Sequence, residues 1–223
     1  TGMPIALATG NEGGAPVANA ASLKNTGLEG TLSWRDEVND FKYSVSANIT
    51  TLKNEVVELG YGKDVYYTGT TKSTIGEPLS MFYMLKTDDL FRTQGDIDNY
   101  VTSKGSPITI NGKRPKLGDV RYIDTDDNGQ ITQNDRQIVG NPWPELQLSL
   151  LFNASWKNFD FSMMWNGQFG NDVYNVAFWQ GRFFADNSNY YIFEAGEEPY
   201  QVNPNSTFPR IIYNDTRNTQ TSD

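Results

Sequence analysis

A cluster of oxygen-bearing side chains between residues 124 and 135 has the spacing of a twelve-residue calcium-binding loop. In such a loop, positions 1, 3, 5, 9 and 12 and the carbonyl of position 7 supply oxygen ligands, and a glycine at position 6 allows a sharp turn. Gly129 holds position 6. The pattern predicts a structural calcium site. Its candidate ligands are Asp124, Asp126, Asn128, the Gln130 carbonyl, Thr132 and Asp135.

An Asx-rich turn, in which aspartate and asparagine side chains bond to their own backbone, is the alternative interpretation of this loop. The last position holds Asp135, where an EF-hand has a glutamate that binds calcium through both oxygens. Long amphipathic helices do not flank the loop, so the pattern favours a structural ion over a calcium sensor. Catalysis by a metal would need an open coordination position beside an acid or base, and the sequence shows none.

Composition excludes several classes of protein. The 223 residues carry a net charge of −9, and the 18 basic residues are scattered, which disfavours nucleic acid as a partner. Cysteine and histidine are both absent, which removes disulfide frameworks, cysteine-ligated metals and histidine-based catalysis. We therefore expect no enzyme. Apolar runs are too short for a membrane-spanning helix. The first residues do not form a signal peptide, so we expect that the chain was processed or begins within a longer protein.

Four segments alternate apolar and polar residues with a period of two over about ten residues, which is typical of transmembrane β-strands. Strands of soluble domains are usually nearer five or six residues. The segments are residues 28–35, 41–50, 146–156 and 159–168. The apolar face would contact lipid and the polar face would line a lumen. Candidate lipid-facing side chains are Phe41, Tyr43, Phe161 and Trp165.

The connections between these segments are unequal in length. Lys157-Asn158 predicts a two-residue turn and residues 36–40 a short one, whereas residues 53–145 form a long insertion. Short turns at one end and long loops at the other are typical of outer-membrane barrels. Aromatic side chains bracket both short turns, as an interfacial girdle would. The alternative is a soluble, calcium-stabilised β-sandwich that binds carbohydrate, with the aromatic side chains facing a second sheet.

The loops carry two further signals. Thr93 and Asp96 have the spacing of a capping box before a short helical turn. After the last alternating segment, aromatic residues are dense and could contact a substrate or a partner, although packing of loop against loop is the alternative. The candidate contact residues are Tyr174, Phe178, Trp179, Arg182 and Phe183.

Four motifs in chain order resemble one known family, the SusC/RagA-type TonB-dependent outer-membrane transporters of Bacteroidetes. The first precedes the first strand, the second and third lie in the long insertion, and the fourth ends the last strand. They are Asn25-Thr-Gly-Leu-Glu29, Gly76-Glu-Pro-Leu-Ser-Met-Phe-Tyr83, the run from Gly118-Asp-Val-Arg-Tyr-Ile-Asp124 to Asp135-Arg-Gln-Ile-Val-Gly-Asn-Pro142, and Asn166-Gly-Gln-Phe-Gly-Asn-Asp-Val-Tyr-Asn175.

The resemblance implies an all-β fold, namely a segment of an antiparallel transmembrane β-barrel near the C-terminus of a longer protein. Residues 1–168 would be barrel with the insertion 53–145, and residues 169–223 an extracellular loop leading to C-terminal strands that this chain lacks. The whole protein would import glycans or peptides across the outer membrane of a Gram-negative bacterium. Its implied partners are a SusD-like lipoprotein, outer-membrane lipid, and TonB through an N-terminal part that is missing here.

Overall fold

The computed structural model describes residues 2–4, 17–19, 21–176, 198–211, 217–218 and 222, and β-strands predominate among them. The strands are β1 (Gly2–Pro4), β2 (Val17–Asn19), β3 (Ala21–Thr26), β4 (Glu29–Val38), β5 (Phe41–Thr51), β6 (Lys53–Leu59), β7 (Val65–Thr68), β8 (Thr71–Thr74), β9 (Met81–Leu85), β10 (Thr87–Leu90), β11 (Thr109–Ile110), β12 (Val120–Tyr122), β13 (Gln130–Ile131), β14 (Arg136–Gly140), β15 (Leu146–Trp156) and β16 (Phe159–Phe169). The helices are α1 (Gln94–Asp98) and two 3-10 turns (Gly60–Gly62 and Gln133–Asp135).

The main sheet is antiparallel, with strand order β16-β15-β5-β4. The alternating segments therefore form strands, and β15 has the bounds that its sequence predicts. The turn at Lys157-Asn158 is confirmed, with Lys157 at a φ of 54°. The predicted connection 36–40 is too long, because β4 continues to Val38 and pairs with Phe41, which leaves only Asn39 and Asp40 in the turn. Asn39 lies at a φ of 55°, in the left-handed region that two-residue hairpin turns require.

Pairing without a register shift arranges the side chains of this sheet in rows across four strands, and residues in one row point to the same face. One face is apolar, although it includes Asp36 near the tight turns. Its rows are Val38–Phe41–Trp156–Phe159, Asp36–Tyr43–Ala154–Phe161, Trp34–Val45–Phe152–Met163, Leu32–Ala47–Leu150–Trp165 and Gly30–Ile49–Leu148–Gly167.

The opposite face of the main sheet is mostly polar. Its rows include Glu37–Lys42–Ser155–Asp160, Arg35–Ser44–Asn153–Ser162, Ser33–Ser46–Leu151–Met164 and Thr31–Asn48–Ser149–Asn166. Hydrogen bonds join neighbouring strands on this face: the Ser162 hydroxyl donates to the side-chain oxygen Oδ1 of Asn153 at 2.8 Å, and the Ser33 and Ser46 hydroxyls lie 2.8 Å apart. The strands therefore largely separate their apolar and polar side chains as the alternating sequence predicts, with Asp36, Leu151 and Met164 as exceptions.

The apolar face of the main sheet is exposed. Leu32 is 77% exposed, Trp34 64% and Phe159 74%. In a sandwich, a second sheet would bury these side chains. Among the described residues, the buried hydrophobic side chains lie elsewhere in the chain, chiefly between Leu85 and Ile131. The sheet therefore presents a large hydrophobic surface on strands longer than those of most soluble domains.

The chain contains more strands than its alternation predicts. β3, which directly precedes β4 in the chain, pairs antiparallel with β6, which directly follows β5. β7, β8 and β9 pair in chain order as a meander. The chain divides into two compact units, one of residues 1–82 and 140–173 and the other of residues 83–139 and 174–223. The first unit contains the main sheet. No helix in the described parts of the chain is both long and apolar enough to cross a membrane.

The second unit has its own hydrophobic core. The Phe91 and Tyr100 rings meet edge to face with centroids 5.0 Å apart, and the Tyr100 hydroxyl donates to the Tyr122 carbonyl at 2.6 Å. The remaining core side chains are Leu85, Ile97, Ile108, Ile110, Tyr122 and Ile131. The capping box at the start of α1 is confirmed, because Thr93 Oγ1 accepts from the Asp96 amide at 3.2 Å and Asp96 Oδ2 accepts from the Thr93 amide at 2.7 Å.

Candidate functional site

The loop from Asp124 to Asp135 lies in the second unit and brings three of its carboxylates together. One oxygen from each of Asp124, Asp126 and Asp135 lies within 4.8 Å of the others. Asp135 is fully buried, Asp124 is half-buried and Asp126 is exposed, so the group opens to solvent on one side. The structure therefore assembles three of the side-chain oxygens that the spacing predicts as ligands.

The loop also satisfies these oxygens with its own hydrogen-bond donors. Asp124 Oδ2 accepts from the Gly129 amide at 2.8 Å. The Asn128 side-chain amide donates to Asp126 Oδ2 at 2.7 Å, and Asn128 Oδ1 accepts from the Gln130 amide at 2.8 Å. The last of these contacts, from the Gln130 amide to the Asn128 side chain two residues before it, is an Asx turn of the kind that the alternative interpretation predicts.

Asp135 organises both ends of the loop. Its Oδ1 accepts from the Thr125 amide at 2.9 Å and its Oδ2 from the Thr132 amide at 2.8 Å. The Thr132 hydroxyl also donates to Asp135 Oδ2 at 3.3 Å and accepts from the Asn134 amide at 3.1 Å, which caps the 3-10 turn that follows. Asp135 and Thr132 therefore have structural roles in the loop whether or not a metal binds.

The core and a neighbouring loop hold this segment in place. Ile131, at the eighth position of the loop, is buried and pairs with Ile110 in the short parallel contact of β11 with β13. Gly129 has a φ of 84°, which other residues rarely adopt. Asp127 contacts the neighbouring loop: its Oδ1 accepts from the Ser103 amide at 2.8 Å and its Oδ2 accepts from the Ser103 hydroxyl. Three residues of the sequence therefore fix the shape of the loop: the buried Ile131, Gly129 at its positive φ, and Asp127 with its contacts to Ser103.

Burial and charge act against ionisation of one carboxyl in the group. Burial raises the pKa of Asp124 above its usual value, the nearby charge of Asp135 raises it further, and the Gly129 amide opposes the rise. By contrast, hydrogen bonds from the Ser103 hydroxyl and amide lower the pKa of Asp127. A cation at the centre of the loop would relieve the repulsion that Asp124 experiences.

The structure shows a second polar centre that the sequence reasoning missed, at Asp119. This carboxylate is fully buried and accepts from Arg210 Nε at 2.5 Å, while Arg217 Nε lies 3.4 Å from its other oxygen. The carboxylate also accepts from the Lys116 amide at 2.8 Å, from Arg210 Nη2 at 3.3 Å and from the Asn218 side-chain amide at 3.3 Å. Asp119 thus connects Arg210, Arg217 and Asn218 to the part of the second unit that contains Lys116.

The candidate contact residues after β16 are described only in part. Tyr174 is half-buried, and burial raises its pKa. Phe178, Trp179, Arg182 and Phe183 lie outside the described residues. The role predicted for these residues stays a prediction.

Comparisons with known proteins place these features in context. TonB-dependent receptor P26 of Formosa agariphila is 26% identical to the chain over 201 residues, which is 86% of this chain and 19% of the receptor. TonB-dependent receptor SusC of Bacteroides thetaiotaomicron is 25% identical over 170 residues, which is 70% of this chain and 15% of that protein. The chain thus spans less than a fifth of the length of these curated relatives. No protein-family profile matches it.

Solved structures support the fold. The RagAB peptide importer in its closed-closed state matches 75% of this chain and 17% of the importer chain, with a TM-score of 0.54 and 18% identity. A second RagAB peptide transporter structure matches over the same share with 19% identity. At this identity the match indicates a shared fold.

Proposed function

Because the chain resembles the SusC/RagA-type TonB-dependent receptors in sequence and in fold, we propose that it forms part of the wall of an outer-membrane nutrient importer. The polar face of the main sheet lines the lumen and the apolar face contacts lipid. No covalent chemistry belongs to this function, and the relatives are named receptors rather than enzymes.

The observation that carries the proposal is the match between the height of the main sheet and the thickness of the apolar band of an outer-membrane barrel. From Val38 to Glu29 along β4 there are nine residue steps, in register with β5 throughout. At about 3.4 Å per residue these steps span about 31 Å. Strands of outer-membrane barrels tilt by about 40°, which reduces this length to a height of about 24 Å, close to their apolar band of about 25 Å.

The direction of the sheet follows from its connections. Outer-membrane barrels have short periplasmic turns and longer extracellular loops. The two-residue turns at Asn39-Asp40 and Lys157-Asn158 lie at one end, and residues 52–145 leave from the other end. We therefore assign the tight turns to the periplasmic side and the long insertion to the cell surface.

Calcium is the proposed ion of the loop from Asp124 to Asp135, with a structural role. Calcium–oxygen distances of 2.3–2.6 Å allow two ligands of one ion to lie up to about 5 Å apart. The three carboxylate oxygens all lie within 4.8 Å of one another, inside that limit. Asn128, the Gln130 carbonyl and Thr132 would supply further oxygens. An ion there would stabilise a surface loop by offsetting the repulsion among its acids.

The names of the relatives support a proposal for the partners and the transported cargo of the whole protein. A SusD-like lipoprotein at the surface and TonB on the periplasmic side are the proposed partners, and glycans or peptides the proposed cargo. RagAB is described as a peptide importer, which supports the peptide half of that class. Tyr174 and the aromatic residues that follow it in the chain are proposed contacts for cargo or lipoprotein.

Uptake by living cells tests this proposal. A strain without the intact receptor should lose growth on the oligomeric nutrient and keep growth on its monomers, and restoring the receptor gene should restore growth. A compound that collapses the inner-membrane proton gradient should stop uptake in the restored strain. Equal uptake with and without the receptor, across a panel of peptides and oligosaccharides, would contradict the proposal.

A further inference from the structure

Asparagine followed by glycine occurs three times in the chain, at Asn111-Gly112, Asn128-Gly129 and Asn166-Gly167. In this context asparagine can lose its side-chain amide without an enzyme, because glycine has no side chain to obstruct the reaction. The glycine backbone nitrogen gives up its proton and attacks the asparagine Cγ atom, a succinimide ring forms, and ammonia leaves with the proton. Water then opens the ring at either carbonyl, which leaves aspartate or isoaspartate. The structure around each pair therefore decides whether it reacts.

Asn111 and Gly112 form an exposed two-residue turn. The Ile110 amide donates to the Lys113 carbonyl at 2.9 Å, and the Lys113 amide donates to the Ile110 carbonyl at 3.1 Å. Both turn residues have positive φ values, 49° and 71°, the geometry in which hairpins prefer asparagine followed by glycine. A Cβ atom at Gly112 would have no neighbour within 4 Å, so the space beside this glycine is open. Because Ile110 and Lys113 form an isolated bridge, the turn can open locally.

The pair Asn128-Gly129 has its reacting groups held by hydrogen bonds. The Gly129 amide, whose nitrogen would attack, donates to Asp124 Oδ2 at 2.8 Å. A carboxylate beside this N–H opposes the loss of its proton, which the attack requires. The Asn128 side chain is held at both ends, because its amide donates to Asp126 Oδ2 at 2.7 Å and its oxygen accepts from the Gln130 amide at 2.8 Å. The loop therefore protects Asn128.

The pair Asn166-Gly167 lies inside β16, where strand pairing restrains the backbone. Asn166 pairs with Ser149 and Gly167 with Leu148, in a register between β15 and β16 that has no shift. The Trp165 indole covers Gly167, since a Cβ atom there would lie 2.8 Å from Trp165 Cη2. Ring closure would require the backbone to leave its extended conformation within this ladder, which opens less readily than an exposed turn.

We propose that Asn111 is a site of spontaneous deamidation and that the fold protects the other two asparagines. Among the hydrogen bonds that the structure describes, none is donated by the Gly112 amide, whereas the Gly129 amide donates to Asp124. One hydrogen bond of ordinary net strength changes an opening equilibrium by about fivefold, so Asn111 should convert at least about fivefold faster than Asn128. This chemistry is independent of the proposed function.

Conversion of Asn111 to isoaspartate alters the backbone next to the calcium-type loop. The main chain then runs through the former side chain and gains an extra carbon atom, so the two hydrogen bonds between Ile110 and Lys113 no longer both fit. Ile110 is fully buried and pairs with Ile131, which anchors the loop from Asp124 to Asp135. Deamidation at the exposed turn should therefore loosen β11 and its contact with that loop.

Peptide mapping of the intact receptor measures the three asparagines side by side. The purified receptor is kept in detergent at mildly alkaline pH with a chelator, and samples taken at intervals are digested with trypsin. Cleavage after lysine and arginine separates the sites, because the peptides 105–113, 122–136 and 158–182 each contain one of the pairs. Mass spectrometry with fragmentation measures the fraction of each asparagine that has become a carboxylic acid. The control is the same receptor unfolded in urea, where the three pairs should react at similar rates.

Three results would overturn the proposal. Conversion at Asn128 or Asn166 as fast as at Asn111 in the folded receptor would show that the fold does not discriminate among the pairs. No conversion at Asn111 in the folded receptor, with conversion in urea, would show that the turn protects it. The same preference for Asn111 in urea would assign the difference to the flanking sequence instead of the fold.

One variant tests the protection assigned to Asp124. Asp124→Ala removes the acceptor of the Gly129 amide and should raise the rate of conversion at Asn128 by about fivefold, the factor for one hydrogen bond. An unchanged rate at Asn128 in this variant would refute the protective role of that bond. The comparison of the three pairs uses the unchanged receptor, so it stands whether or not the variant assembles.

Discussion

Asp119→Asn should loosen the second unit at Arg210 and Arg217, because this carboxylate is the shared partner of these two arginines. The substitution keeps the size of the side chain and removes its charge. Asp119 is fully buried, and the Arg210 and Arg217 side chains are only 18% and 12% exposed, so water replaces little of the lost interaction. Removing one member of a buried pair costs about 3–5 kcal/mol. The partial exposure of both arginines favours the lower end of that range.

Hydrogen exchange in the intact receptor measures this effect where the anchor acts. The Arg210 amide donates to the Gly118 carbonyl at 2.9 Å, and it exchanges only when that contact opens. A loss of about 3 kcal/mol corresponds to an increase of roughly a hundredfold in the opening equilibrium, at 1.36 kcal/mol for each factor of ten. Protection of the Arg210 amide should fall accordingly in Asp119→Asn.

The control for this prediction is Asp88→Asn, the same chemical change in an exposed ion pair of the same unit. Asp88 lies 2.9 Å from Arg121, and its side chain is 49% exposed. Exposed pairs contribute about 0–1 kcal/mol, so exchange at Arg210 should change little in this variant. If both variants alter exchange at Arg210 equally, or if Asp119→Asn alters nothing, the role assigned to Asp119 is wrong.

Two further predictions concern acidic residues of the second unit. The intact receptor should take up calcium at the 124–135 loop, and Asp124→Ala combined with Asp126→Ala should abolish that uptake; unchanged calorimetric titration of the double variant would refute the site. Hydrogen bonds from Thr93, first through its amide and then through its hydroxyl, lower the pKa of Asp96 from its ordinary value of 3.8. Its capping contribution is therefore present above pH 3.8 and is lost as the pH falls through the lower folded pKa. Exchange of the Thr93 amide should show this acid dependence, and Asp96→Asn should remove it; the same dependence in both proteins would disprove the assignment.

The sequence determines those parts of the fold that depend on neighbouring residues. Alternation with a period of two predicts the long strands, because each of them has one face in a different environment from the other. The turn at Lys157-Asn158 and the capping box at Thr93 are likewise local patterns. The β4 strand was predicted to end too early, because Asp36 on its apolar face resembles the start of a turn, whereas pairing with Tyr43 keeps it within the sheet.

Features that depend on distant partners could not be read from the chain. Asp119 contacts Arg210 and Asn218, which lie more than ninety residues later in the chain, and the residues around Asp119 in the sequence do not predict either contact. The pairing of Gly30 with Ile49 and of Leu32 with Ala47 depends on the register between β4 and β5, which alternation alone does not specify. The calcium-type loop is an intermediate case, because the spacing of Asp124 and Asp126 predicts the cluster of carboxylates but equally suits an Asx turn.

The most direct test of the membrane assignment compares two neighbouring residues of β5 that point to opposite faces. Val45 lies in the apolar row with Phe152, and Ser46 lies on the opposite face beside Ser33; both side chains are half-buried. Val45→Arg should cost about 2–4 kcal/mol of barrel stability in lipid. Ser46→Arg should cost about 1 kcal/mol, through its lost hydrogen bond with Ser33.

Urea unfolding of the intact receptor in lipid vesicles, followed by the shift of the folded barrel on a gel, measures both changes. Val45→Arg should lower the unfolding midpoint clearly more than Ser46→Arg does. Equal destabilisation by the two variants would contradict the assignment of one face to lipid and the other to the lumen, and a larger effect of Ser46→Arg would mean that the two faces are reversed.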